Sequence, residues 1–167
     1  ASRQGWLFLL ITEDKMYIGL QDMFKIGIGP SSSHTVGPMR AAWRFVLGLP
    51  EGSLEEVRRV EAELFGSLAH TGHGHGTDLA ILMGLCGEVP DSVDTNGIAQ
   101  RVEAIRREGR LILLGRHEVS FDVARDLLFN RTDELPVHTN GMRFRAWNAA
   151  EELLDSRELY SVGGGFV

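Results

Sequence analysis

The chain has 167 residues, of which 43% are hydrophobic, so it holds one domain, or one with a small appendage, and enough apolar surface for a core. A formal net charge of −6 with no sustained basic run argues against a nucleic-acid partner. A single cysteine excludes an intramolecular disulfide framework and cannot by itself hold an iron–sulfur cluster, which takes several thiolates. That cysteine, Cys86, closes the apolar run from Ile81 and reads as a small buried hydrophobe. The apolar run from Trp6 to Ile11 is far short of the roughly 20 residues of a membrane span and lacks the flanks of a signal peptide. A soluble, cytoplasmic chain is expected, with no membrane partner.

Residues 1–19 do not share the patterning of the rest of the chain and stand as an N-terminal extension of no assigned function; residues 20–167 form the domain. Leu20 to Phe24 reads as a short helical turn. Then comes Lys25-Ile26-Gly27-Ile28-Gly29-Pro30-Ser31-Ser32-Ser33-His34-Thr35, where two glycines and a proline stop regular structure. The spacing of Met39, Ala42, Trp43, Val46 and Leu47 predicts a helix over residues 36–47, ended by Gly48 and Pro50. Ser and Thr just before it are N-cap residues, so the loop delivers Ser31, Ser32, Ser33 and His34 to a helix N-terminus whose unpaired N–H groups suit a carboxylate or phosphate.

A turn of helix through Glu56 and a strand over residues 57–65 come next, the strand carried by Val60, Ala62 and Leu64 alternating with Glu61 and Glu63. From Gly66 to Asp78 glycines alternate with histidines, which predicts a loop whose backbone can approach a ligand closely. Thr77 or Asp78 caps a helix from Leu79 to Leu85. Asn96 starts another, with Ile98, Val102 and Ile105 as its buried stripe and Gly109 at its end. Strands are predicted over residues 111–114, 117–122, 127–129, 142–147 and 158–163, with Asn140-Gly141 as a turn. Gly163-Gly164-Gly165 reads as a tight approach or a hinge. Helices early and antiparallel strands late indicate an α+β fold.

Two stretches offer chemistry. His70, His73 and His75 crowd into six residues. Their spacing matches no zinc signature, so acid–base work or a solvated surface loop are the alternatives to a metal site. Asp78 is near enough in sequence to orient a ring. Ser31 to Ser33 lack the strand–turn–helix context of a serine nucleophile, so binding through their hydroxyls is the better role. Gly27-Ile28-Gly29 lacks the third glycine of a dinucleotide fingerprint. His117 and His138 default to structural or surface positions.

Taken together, several segments closely resemble bacterial iron–sulfur L-serine dehydratases. They are Phe24 through Met39 with its serine–histidine loop, Gly66-Ser67-Leu68-Ala69 with Thr71-Gly72-His73-Gly74-His75-Gly76-Thr77-Asp78, Gly115-Arg116-His117, His138-Thr139-Asn140-Gly141-Met142, and Tyr160-Ser161-Val162-Gly163-Gly164-Gly165-Phe166. The likeness runs from about residue 20 onward. One departure is His73, where the family commonly has lysine. The resemblance implies conversion of L-serine to pyruvate and ammonia, with a 4Fe–4S cluster acting on the leaving hydroxyl. It places the cluster cysteines in a second, α domain, so that this chain is the β domain or subunit and inactive alone. It also suggests a homodimer, and a mixed, largely antiparallel sheet with helices on one side, similar to the allosteric substrate-binding domain of some phosphoglycerate dehydrogenases. On this reading His75 and His34 are the catalytic candidates, and Ser31, Ser32, Ser33, Thr35 and Asp78 the substrate-binding ones. The alternative is a serine-sensing module with no direct catalytic role.

Overall fold

The computed structural model describes residues 31–167. The extension at 1–19, the helical turn at 20–24 and the glycine half of the serine loop, Gly27-Ile28-Gly29 included, lie outside the described residues. The helices are α1 (Val36–Leu47), α2 (Gly66–His75), α3 (Thr77–Leu85), α4 (Ile98–Glu108) and the single turn α5 (Val123–Asp126). The strands are β1 (Arg59–Phe65), β2 (Arg110–Leu113), β3 (His117–Ser120), β4 (Leu127–Asn130), β5 (Gly141–Trp147) and β6 (Leu153–Tyr160). None of the described helices is long and apolar enough to cross a membrane.

The strands form one mixed sheet in the order β2-β3-β1-β5-β6, with β4 also pairing β1. Three of the ladders, β2–β3, β1–β5 and β5–β6, are antiparallel, whereas β1 runs parallel to both β3 and β4. β3 meets β1 at Arg59, and β4 takes over from Ala62 to Phe65. The expected α+β fold with a mixed, largely antiparallel sheet is therefore present.

Alternation in β1 and β5 divides the sheet into two unlike faces. Val60, Ala62 and Leu64 of β1 and Met142, Phe144 and Ala146 of β5 are buried and join one core with residues of α1, α2, α3 and α4. Phe45 of α1 stacks on Phe144 with ring centres 5.3 Å apart. Helix α3 is apolar nearly throughout and almost wholly buried, as a central helix must be. A Cβ on its Gly84 would overlap the Met39 carbonyl, so the missing side chain is what lets α1 and α3 touch. The opposite face carries a charged ladder. Glu61 pairs opposite Arg145, and Glu63 opposite Arg143, which in turn lies opposite Glu158. Arg145 reaches Glu63 at 2.9 Å and Arg143 reaches Glu158 at 2.9 Å.

Several element ends shift by one or two residues from the sequence pattern, and two departures are larger. β6 begins at Leu153, well before residue 158 where the pattern places it, because this edge strand buries too little to alternate clearly. The larger correction is at residues 66–78. The predicted glycine–histidine loop is a ten-residue helix, α2, followed at once by α3. Glycine costs a helix about 1 kcal/mol per residue relative to alanine, so propensity argues for a loop here. Packing overrides it: Leu68, Ala69 and Gly72 are buried against the sheet and α3. At Gly72 a Cβ would sit 3.0 Å from the Thr77 hydroxyl and 3.2 Å from the Phe129 ring, so the bare backbone permits that close passage. Gly76, in the left-handed region with φ 76°, ends α2 with its N–H on the Gly72 carbonyl and turns the chain into α3.

Candidate functional site

The serine–histidine turn and α2 meet at His34. Residues 31–35 coil ahead of α1, with the N–H groups of His34 and Thr35 on the Ser31 carbonyl and that of Gly37 on the Ser32 carbonyl. This corrects one expectation. Thr35 makes no side-chain cap, and its buried hydroxyl donates instead to the Ser31 carbonyl at 2.7 Å. The donors at 34, 35 and 37 are thus already paired and do not form the open anion cradle the pattern suggests. Thr35 braces the turn instead of lining a surface.

What the turn presents is the His34 ring. Its Nδ1 lies 3.0 Å from Ser33 Oγ and 3.3 Å from Ser31 Oγ, and the two hydroxyls are 3.1 Å apart. Its Nε2 lies 3.0 Å from Thr71 Oγ1 and 3.2 Å from Ser67 Oγ, both on α2. Ser32 is exposed beside this network. The His75 ring lies 4.9 Å from the His34 ring, tilted by 39°. His75 Nδ1 is 2.9 Å from the Thr71 carbonyl. A carbonyl only accepts, so Nδ1 carries the proton and neutral His75 keeps its lone pair on Nε2. Burial, and then the neighbouring His75, hold the His34 pKa below its usual value, while the Ser67 backbone pulls the other way. His34 is therefore a neutral imidazole at neutral pH.

Ser67, Thr71 and His75 converge because they are spaced four apart on α2 and so share a face. Helix α3 secures the arrangement: the buried Thr77 donates its hydroxyl to the His34 carbonyl at 2.6 Å, instead of capping α3. The start of α2 is fixed from the other side. Ser67 N–H donates to the Thr139 carbonyl at 3.0 Å, and Gly66, with φ 52°, has no room for a Cβ against that carbonyl. Thr139 belongs to the segment His138–Met142, and its neighbour Asn140 donates through Nδ2 to the Ser161 carbonyl at 3.1 Å. Ser161 in turn packs directly over Gly37. Past it, Gly163, Gly164 and Gly165 all have positive φ, and the Gly165 carbonyl accepts from Arg40 at 2.9 Å; this is the tight approach that the triple glycine suggests.

Asp78 is not brought to the two histidines. It is nearly buried in an ion pair with Arg106 of α4 at 2.9 Å, with His73 Nδ1 at 4.0 Å. His73 stacks on Phe129 with ring centres 4.0 Å apart. These residues, with Asp122, Val123 and Leu127, line a separate cavity of about 420 Å³. The helix thus scatters the three clustered histidines: His75 goes to His34, His73 to Phe129, and His70 to the exposed surface. His117 is structural, its Nε2 donating to the Val57 carbonyl at 2.7 Å, and His138 Nδ1 accepts from the Asn140 N–H.

The sequence offers one cysteine, fewer thiolates than an iron–sulfur cluster takes. The one cysteine, Cys86, is half-buried at the end of α3, and burial pushes its thiol pKa up, away from the thiolate a metal needs. Among the described residues no group of three or more His, Cys, Asp or Glu side chains is placed to hold a metal ion.

The described residues thus form an α+β domain in which two imidazoles and four hydroxyls meet between the serine–histidine turn and α2. The chain belongs to the serine dehydratase beta chain family, whose model matches residues 19–167. It is 50% identical to the L-serine dehydratase of Streptomyces coelicolor over 153 residues, 91% of this chain and 34% of that protein. It is 49% identical to L-serine dehydratase 1 of Escherichia coli over 152 residues, 90% of this chain and 33% of that protein. With the L-serine dehydratase of Mycobacterium tuberculosis the identity is 44% over 153 residues, 91% of this chain and 33% of that protein. The chain spans about a third of the length of these relatives.

Proposed function

We propose that this chain is the β part of an L-serine dehydratase and supplies acid–base residues to an active site completed by an α part. The observation that carries the reading is the pairing of His34 with His75 among the hydroxyls of Ser31, Ser33, Ser67 and Thr71. The reaction removes a proton from Cα of L-serine and the hydroxyl from Cβ as water. The resulting aminoacrylate tautomerises, then takes up water to give pyruvate and ammonia. A 4Fe–4S cluster, for which this chain's single cysteine is too few thiolates, would be held by the α part and would supply Lewis-acid polarisation of the leaving hydroxyl.

The residues of this chain do the rest. His75 is the base, because its lone pair is on Nε2, away from the Thr71 carbonyl that fixes the ring. His34, kept neutral by burial, presents Ser31 and Ser33 in fixed positions, where their hydroxyls can orient the substrate carboxylate. Sites completed across a domain boundary are common, and the half-exposure of both imidazoles suits one. The test is anaerobic pyruvate formation from L-serine, by the chain alone and joined to its α part, with and without His75→Ala. Activity only in the joined form, lost in the variant, supports the reading; unimpaired turnover in the variant ends it.

A second reading, serine sensing, draws on the cavity beside Asp78. There the Arg106 guanidinium and the carboxylates of Asp78 and Asp122 offer both charges that a small zwitterion needs. On that reading Asp78 is a binding residue of a regulatory site, and its loss alters the serine dependence instead of the turnover limit.

A further inference from the structure

Thr71 touches both imidazoles, through different atoms. Its hydroxyl oxygen is 3.0 Å from His34 Nε2, and its carbonyl oxygen is 2.9 Å from His75 Nδ1. The hydroxyl has one hydrogen and two candidate acceptors. It lies 2.8 Å from the Ser67 carbonyl, one helical turn back, where threonine hydroxyls in helices commonly donate. With its hydrogen on the Ser67 carbonyl, the Thr71 oxygen meets His34 Nε2 as an acceptor, so Nε2 carries the His34 proton, and the Ser67 hydroxyl, 3.2 Å from the same nitrogen, serves as a second acceptor. Nδ1 of His34 is then the lone-pair nitrogen, and it accepts from the serine hydroxyls at 3.0 and 3.3 Å. At His75 the carbonyl forces the opposite choice, with Nδ1 protonated and Nε2 bare.

We propose that Thr71 is a positioning residue that fixes the tautomers of both histidines, His34 as Nε2–H and His75 as Nδ1–H. One helical residue then aims one lone pair at the serine hydroxyls and the other at the substrate side. The consequence for turnover rests on the reading of His75 as the base; the tautomer assignment does not.

The test uses the enzyme with its α part, labelled with 15N-histidine. Long-range proton–nitrogen spectra report which ring nitrogen of each histidine carries the proton, and His34→Gln and His75→Gln assign the signals. The wild type should show Nε2–H for His34 and Nδ1–H for His75. In Thr71→Val, which keeps the shape and loses the hydroxyl, His34 should populate the other tautomer, and kcat should fall by about tenfold or more with KM little changed. Thr71→Ser, which restores the hydroxyl, should recover the His34 tautomer and most of kcat. A wild-type His34 protonated on Nδ1 overturns the assignment without any variant being needed. So does a folded Thr71→Val with both wild-type tautomers and wild-type kcat. If His75→Ala keeps full turnover, the catalytic reading falls while the spectra still decide the role of Thr71.

Discussion

Helix α2 has two histidine-bearing sides that share one sequence and differ in everything else. On one side Ser67, Thr71 and His75 face His34 through hydroxyls and a carbonyl. On the other, His73 lies on Phe129 beside the Asp78–Arg106 pair. The first side holds imidazoles among groups that fix their protons. The second holds one against an aromatic ring, beside a carboxylate that is paired with a guanidinium. Residue type and nearness in sequence therefore say little about a histidine's task; its angle around the helix, and what lies opposite, decide it.

Variants can widen or erase that contrast. The largest effect is expected on the His34 side: in the enzyme with its α part, His75→Ala should lower the rate of pyruvate formation by about 10²–10⁴-fold, the range for loss of a general base. Leu68→Ala should damage both sides together. Leu68 is the fully buried residue of α2 that packs into the core, and its truncation should cost about 2–5 kcal/mol in chemical denaturation. Asp78→Asn should separate the sides: turnover at saturating serine stays within a few fold, and any change appears in the serine dependence measured by initial rates.

A smaller effect is expected from acid. The folded chain binds a proton at His34 more weakly than the unfolded chain, so the unfolded chain protonates first as pH falls through about 6.5. Stability should decline from about that pH downward until folded His34 itself protonates, and this contribution should be flat above it. Comparing melting temperatures of wild type and His34→Gln across that range checks the sign, since the variant should lack this part of the slope. The smallest effect is His73→Ala. That side chain is 62% exposed, and its removal should change stability by less than about 1 kcal/mol.

Much of the fold is legible in the amino-acid sequence. Alternation locates β1, β3 and β5, which set apolar against polar residues with a period of two, and short apolar runs locate β2 and β4. Strand direction stays hidden, since alternation is the same in parallel and antiparallel ladders, and β1 takes part in both. The serine–histidine turn stands out through its punctuation. The histidine helix does not, because four glycines between residues 66 and 76 mask a helix that tertiary burial sustains. Reading it as a loop conceals the spacing of Ser67, Thr71 and His75, and with it the contribution of Thr71. The same misreading draws Asp78 toward His75, whereas the first turn of α3 carries it to Arg106.

The charged ladder on the face of the sheet opposite the core also bears on how the chain avoids wrong structures. If β5 slid by one residue along β1, Arg143 and Arg145 would turn into the apolar layer, while Met142, Phe144 and Ala146 would face water. Each stranded cation would cost several kcal/mol, and Glu61 and Glu63 would lose their partners on the far side. The ladder therefore makes the native β1–β5 register the favoured one, and with it the placement of Thr139, just ahead of β5, against the start of the histidine helix.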